Sequence, residues 1–378
     1  MSGLFFVIER FVEKNLLPFG CSVLGIFKKK KSLLAENKRL LVIRLWALGE
    51  AILILPMLKT LKNTKPDSEI TVLCTKKTSD VFYMQKFIDQ TEIVSSLSSF
   101  KFILKNLWKY DLVIDTEPHF AISAIVAFFT GKRSIGYNHL SRAKLYDINV
   151  KYNAGQHAVF TICDLLKPLE IIAQPDSLVS LNYSTDAKSI VDARFAAVGI
   201  DPSNPRNLII GMHAFCGPTA SWRVWPKERF AKLADLIRKK YKNSIIIFTG
   251  SKSESAGIQD IISSMDSRER VFDFSDLPSS SLFYLISKYS LMVSNDTGPM
   301  HVAAAQGVPT IGFFGPNLPT RFGPFPPKKH IALHYPLNCT PCINVHLGEF
   351  RKCENNGECM KGITVDDAIA AVDALLKG

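Results

Sequence analysis

Apolar residues recur along this chain in two rhythms. Short runs rich in Val, Ile and Leu alternate with longer stretches at helical spacing, the pattern of parallel strands joined by helices. Residues 40–45 are apolar except for Arg44 and read as a buried strand, followed by a helix over about 50–63. A strand over 69–74, another over 111–116 and an apolar helix over 120–130 continue the alternation. Strands over 134–137 and 147–152 and a helix over 156–169 follow.

Asp201-Pro202-Ser203-Asn204-Pro205 then interrupts the pattern as a linker. It restarts with strand 207–213, helix 226–241, strand 244–249, helix 254–264 and strand 271–274. Helix 279–288, strand 291–295, a helix from 297 and strand 309–314 complete the series. A last helix over 364–377 opens on Asp366 and Asp367, acids that suit the positive end of a helix dipole. The expected class is α/β, with two consecutive Rossmann-like doubly wound domains over 39–200 and 206–345. Two such domains imply a ligand-binding cleft between them. Residues 1–38 form a leader, and 346–378 a cysteine-containing tail with the final helix.

Length and composition agree with this outline. A chain of 378 residues fits two domains, and 47% apolar residues suffice for two cores. The net charge is +12, and the first 44 residues hold nine basic and three acidic residues. Half of the excess therefore sits in these first 44 residues. Basic residues are not spread over a domain face with aromatic platforms, which argues against nucleic acid as a partner.

The leader is not a secretory signal, because its apolar residues precede the Lys28–Lys31 run. The apolar stretch 16–27 holds Pro18 and Gly20 and falls short of the roughly 20 residues that span a bilayer. On a helix, Leu4, Val7, Ile8, Phe11 and Leu16 share one side, and Glu9, Arg10, Glu13 and Lys14 the other. Residues 1–31 thus read as an in-plane helix with a polybasic anchor for an anionic membrane surface. The alternative is a helix packed on the protein itself, with the lysines solvated. Cys21 beside this helix is a candidate for acylation.

Candidate chemistry lies at strand ends. In Ser294-Asn295-Asp296-Thr297-Gly298-Pro299-Met300-His301 a strand feeds a helix N-terminus, where open α/β sheets bind phosphates. Asp296 would repel a phosphate, so it either caps the helix or meets a sugar hydroxyl. In the loop Leu45-Trp46-Ala47-Leu48-Gly49-Glu50, Gly49 permits close backbone approach, and Glu50 is either a general base or a helix-dipole partner. The loop from His213 to Pro226 offers Thr219 and Ser221 as phosphate donors and Arg223 as a planar fork for a diphosphate. His213 is either functional or a satisfied structural histidine.

Together these segments resemble the bacterial lipopolysaccharide heptosyltransferases, the ADP-heptose-using glycosyltransferase family 9. Residues 41–50 with Leu55-Pro56 are similar to the N-terminal motif, Arg223-Val224-Trp225-Pro226 to the basic-x-Trp-Pro element, and 295–316 to the donor signature. The resemblance implies a GT-B glycosyltransferase architecture, with the acceptor on the first domain and the nucleotide sugar on the second. It implies inverting transfer that requires no metal or other cofactor, from a donor such as ADP-heptose. It implies a lipid-linked glycan acceptor at the cytoplasmic face of the inner membrane, where the enzyme is peripheral.

Under the resemblance Glu50 takes the place of the catalytic aspartate, in an acceptor-side loop with Arg44 and Gly49. Arg223 takes the place of a donor-phosphate lysine, and Asp296, Thr297, Gly298 and His301 fall on the donor site. Glu50 is one methylene longer than the usual aspartate, and Arg223 is a fork rather than a point charge. Another nucleotide sugar, UDP- or GDP-linked, and a catalytically silent nucleotide-sugar or lipid binder are the competing readings. Cys339, Cys342, Cys353 and Cys359 begin with zinc-like spacing and continue irregularly, leaving a structural metal, free thiols and disulfides all open.

Overall fold

The structure, a computed structural model, describes residues 11–32, 37–217 and 222–377. The first ten residues of the leader, and Thr219 and Ser221 with their neighbours, lie outside the described residues. The chain forms two compact units. One comprises residues 1–175 with 344–350, the other 176–343 with 351–378.

In the first unit, strands β1 (Arg39–Ile43), β2 (Glu69–Cys74), β3 (Gln90–Ile93), β4 (Leu112–Asp115), β5 (Ser134–Tyr137) and β6 (Ile148–Val150) form one sheet. Its order is β3-β2-β1-β4-β5-β6, and all its pairs are parallel. This is the Rossmann order, whose direction of winding reverses between β1 and β4. The expected helix over 50–63 is two helices, α2 (Leu48–Leu53) and α3 (Leu55–Thr64), after an earlier α1 (Leu17–Phe27). Pro56 sits at the start of α3, where its missing N–H is tolerated but would break a continuous helix. Helices α4 (Ser96–Lys105) and α5 (Ala121–Thr130) cover the sheet, and α6 (Ala158–Cys163) follows β6.

The leader packs partly on this unit. Leu17, Cys21 and Leu24 meet the apolar cluster that contains Leu41, Val113, Ala124 and Val126. Two readings of the leader are corrected here. Cys21 is fully buried, which closes it to acylation, and burial pushes its thiol pKa up to about 12. Glu13 is half-buried and turned to the protein. Its carboxylate accepts N–H bonds from Ala121 and Ile122 and so caps the start of α5.

The second unit repeats the plan. Helix α7 (Thr185–Ala197) precedes β7 (Leu208–His213), α8 (Lys227–Lys240), β8 (Ser244–Phe248), α9 (Ser255–Ser263) and β9 (Val271–Asp273). Then come α10 (Leu282–Ile286), β10 (Leu291–Asn295), α11 (Gly298–Ala305), β11 (Thr310–Phe314), β12 (Ile331–His334) and α12 (Val365–Lys377). The sheet order is β12-β11-β10-β7-β8-β9, again parallel and again reversing between its first and fourth strands.

The units do not divide at the Asp201–Pro205 linker. Helix α7 belongs to the second unit, where Tyr284 Oη donates to Asp192 at 2.9 Å and Phe195 packs edge-on to Phe274. Residues 344–350 join the first unit, whereas the rest of the expected tail joins the second.

Candidate active site

In the first unit the switch between β1 and β4 sets Ile43 opposite Asp115. The chain leaves β1 through Arg44, whose side chain is buried under the end of the sheet. Its Nη2 lies 2.5 Å from Glu50 Oε2. Its Nη1 donates to Thr116 O at 2.9 Å, and its Nε to Trp46 O at 3.2 Å, with Glu117 Oε1 at 3.8 Å. Gly49 is buried within α2, and Glu50 lies in that helix's first turn. Arg44 and Glu50, both singled out from sequence, are therefore one ion pair.

Glu117 was not singled out, yet it organises this loop. Its Oε1 accepts the N–H groups of Leu45 at 2.6 Å and Trp46 at 2.9 Å. Burial raises its pKa to about 6, against the opposing pull of Arg44. Burial also works against the Arg44 charge, but Glu117 and then Glu50 outweigh it and raise the guanidinium pKa. Below this layer Asp115 Oδ2 accepts from Arg142 Nη2 and Tyr146 Oη, each at 2.7 Å. The loop turns through Ala47 at φ 65°, a left-handed conformation that costs a side-chain-bearing residue roughly 1–3 kcal/mol. The acid that ends β4 and the Glu two residues on were a readable signal, because ligands collect at the carboxyl ends of strands.

Residues 344–350 add an aromatic cluster. His346 stacks on Tyr152 with ring centroids 4.7 Å apart, and His139 Nε2 meets His346 O at 2.6 Å. Burial, then Arg142 and Arg44, lower the pKa of His119 to about 3, so it stays neutral.

In the second unit β7 and β10 flank the switch, with Ser294 opposite His213. His213 is a buried, satisfied histidine whose Nδ1 lies 3.2 Å from Thr249 Oγ1. Arg223 Nη1 lies 3.7 Å from Asp296 Oδ2, and its buried Nε has no hydrogen-bond partner among the described residues. Asn317, also not anticipated, donates to Asp296 Oδ2 at 3.2 Å. Burial raises the Asp296 pKa, while Arg223 and Asn317 oppose it.

Asp296 does not cap α11. The residue before the helix is Thr297, whose Oγ1 donates to Asn295 O at 3.2 Å and makes no capping bond to the helix start. Gly298 is the first helical residue, and His301 is buried one turn in. The Trp-Pro element anchors the loop. Trp225 stacks on Phe313 at 4.3 Å, its N–H donates to Asn295 Oδ1, and its Nε1 donates to Ile363 O, both at 2.9 Å.

The C-terminal cysteines are free thiols, and among the described residues no group of three or more His, Cys, Asp or Glu is arranged to hold a metal ion. Cys342 Sγ turns to Cys339 O, Cys339 Sγ accepts from Asn355, Cys353 Sγ accepts from the Gly357 N–H, and Cys359 is buried.

Two parallel Rossmann-like sheets, each with charged groups at its switch point, define a GT-B glycosyltransferase fold. The model of glycosyltransferase family 9 (heptosyltransferase) matches residues 103–347, and the chain belongs to this family and is a glycosyltransferase. Lipopolysaccharide heptosyltransferase 3 of Escherichia coli is 21% identical over 87% of this chain and 95% of its own length. Lipooligosaccharide heptosyltransferase 2 of Campylobacter jejuni is 27% identical over 42% of this chain, which spans about half (48%) of that relative. The structure of E. coli ADP-heptose LPS heptosyltransferase II superposes with a TM-score of 0.69 at 18% identity, covering 90% of this chain and 98% of that one.

Proposed function

We propose that this protein transfers a heptose from ADP-heptose to a lipopolysaccharide core acceptor, with inversion at the anomeric carbon. The observation that carries this reading is the Glu50 carboxylate at the end of β1, held by the buried Arg44. Arg44 engages Oε2, and Oε1 accepts the proton of the acceptor hydroxyl. The acceptor oxygen then bonds to the anomeric carbon as the bond to the diphosphate breaks, and ADP departs with the electron pair. Arg44 holds the carboxylate that the extra methylene of glutamate carries further from the backbone, where a misplacement of roughly 1 Å can cost about a hundredfold in rate.

The second unit supplies the groups that meet the departing diphosphate. Arg223 has a buried Nε in need of an acceptor, and α11 presents a positive helix end that Thr297 does not cap. These charges take the place of a divalent ion at the leaving group. Asp296, Thr297, Gly298 and His301 bind the rest of the donor, with Asp296 directed to a sugar hydroxyl. Thr219 and Ser221 add phosphate contacts.

Family membership and the names of the relatives favour ADP-heptose and a lipid-linked acceptor. The leader favours work at an anionic membrane surface on the cytoplasmic side. Among the described residues no helix is long and apolar enough to cross a membrane. Lys29, Lys30 and Lys31 are exposed beside α1, while Lys28 pairs with Asp147 at 2.9 Å. Thermal shift with ADP, UDP and GDP tests the donor assignment. ADP should stabilise the protein most, and stabilisation by UDP or GDP alone would refute the heptose reading.

A further inference from the structure

We propose that α4 and the turn after it form a second membrane contact beside α1, so that the first unit rests on anionic lipid through two helices. This rests on the reading of the leader as a membrane anchor, and adds a surface that the leader does not contain.

Helix α4 is two-sided. Phe102 and Ile103 are buried in the same apolar cluster that receives Leu17, Cys21 and Leu24 of α1. The two helices share one further neighbour, α5, and therefore cover the same face of the sheet. On its outer side α4 exposes Phe100 and Leu104, and the turn after it Leu107 and Trp108, at 51%, 75%, 42% and 59% of their full accessibility. Phe100 and Leu104, four residues apart, share one face of the helix, and the turn carries the exposed run on through Leu107 and Trp108. Helix α1 likewise exposes Phe19, Val23, Ile26 and Phe27. Single exposed apolar side chains are ordinary, but eight of them on two segments that pack against the same helix mark a candidate interaction surface.

Charge selects the occupant. Residues 96–109 contain Lys101, Lys105 and Lys109 and no acid, and all three lysines are exposed. Lys29–Lys31 bring the same sign to the end of α1. Apolar side chains set among lysines match the interface of an anionic bilayer, with rings and aliphatic chains at the acyl boundary and ammonium groups among the phosphates.

Trp108 adds a second, independent observation. It is held at φ 46°, a conformation unfavourable for a large side chain, by its N–H bond to Phe129 O at 2.9 Å. The fold thus sustains backbone strain while leaving the indole in solvent, and tryptophan is the residue enriched at membrane–water boundaries.

The test is binding of the full chain to phosphatidylglycerol-containing vesicles and to phosphatidylcholine vesicles, by flotation. Leu104→Glu with Trp108→Glu should weaken binding to the anionic vesicles by about tenfold or more, with the ADP thermal shift unchanged as the control for folding. Phe19→Glu with Ile26→Glu should weaken it independently. If the α4 variant binds like the unmodified protein while the α1 variant does not, the second contact is refuted and the leader reading stands. If the unmodified protein ignores anionic vesicles, both fail. The conservative Trp108→Phe variant gives a second readout. It should lose much of the fluorescence quenching by brominated lipids, and unchanged quenching would place the indole away from the bilayer. Altered self-association with unchanged vesicle binding would assign the face to a protein contact and overturn the proposal.

Discussion

The Arg44 guanidinium approaches the Glu50 carboxylate to 2.5 Å from within the core, with the two side chains 1% and 15% exposed. A buried cation at the end of a central strand thus aims an accessible acid. Glu117 counterbalances it from the neighbouring strand end, so the acid's position is set by the sheet rather than by its loop.

Replacing Glu50 with Gln keeps the shape and removes the base. The turnover number should fall by about 10²–10⁴, the usual contribution of a positioned base, while the ADP thermal shift is retained. Unchanged turnover in a single-turnover assay would remove Glu50 from the chemistry.

Arg223 should act on the donor. Arg223→Ala should weaken donor affinity about 10- to 100-fold, the loss expected for a charge-assisted hydrogen bond of about 1.5–3 kcal/mol. Arg223→Lys should recover part of it, because a point charge replaces the fork. Calorimetry with ADP measures both, and equal affinities in all three proteins would contradict the assignment.

Glu13 predicts a pH dependence. Burial raises its pKa from 4.5 to about 7, against the N–H bonds from α5. The folded state therefore holds the proton more tightly than the unfolded chain. Its contribution to stability is fully present below about pH 4.5 and declines as pH rises to about 7. Glu13→Gln should flatten that segment of the melting-temperature profile, and identical slopes from pH 4.5 to 7 would contradict this.

Trp225 should matter for stability. It is fully buried, stacked on Phe313 and bonded through Nε1 to Ile363 O. Trp225→Ala should cost about 3–5 kcal/mol in denaturant unfolding of the second unit, and Trp225→Phe less. A loss below about 1 kcal/mol would show that the Trp-Pro element does not hold the loop.

The alternation of strands and helices was legible because every central strand is buried on both faces and so reads as an apolar run. Edge strands gave less. Gln90–Ile93 and Ile331–His334 are only half-buried or exposed, so their residues carry no clear period. The Asp201–Pro205 segment looks like a boundary, yet α7 before it packs into the second unit, because turn residues mark a bend and not which core a helix joins. Glu50, Arg44, Arg223 and Asp296 were visible at strand ends. Their pairing was not, since it depends on the neighbours that β1 and β10 acquire in the sheet. Glu117 and Asn317 were missed for the same reason.

The central claim is the donor and the reaction. Purified protein should be incubated with ADP-heptose and a defined lipid A–core acceptor, and the product read by mass spectrometry and anomeric NMR. The expected product carries a single added heptose with inverted anomeric configuration, formed about 10²–10⁴-fold more slowly with Glu50→Gln. Retention of configuration, or transfer from a UDP- or GDP-sugar with none from ADP-heptose, would contradict it.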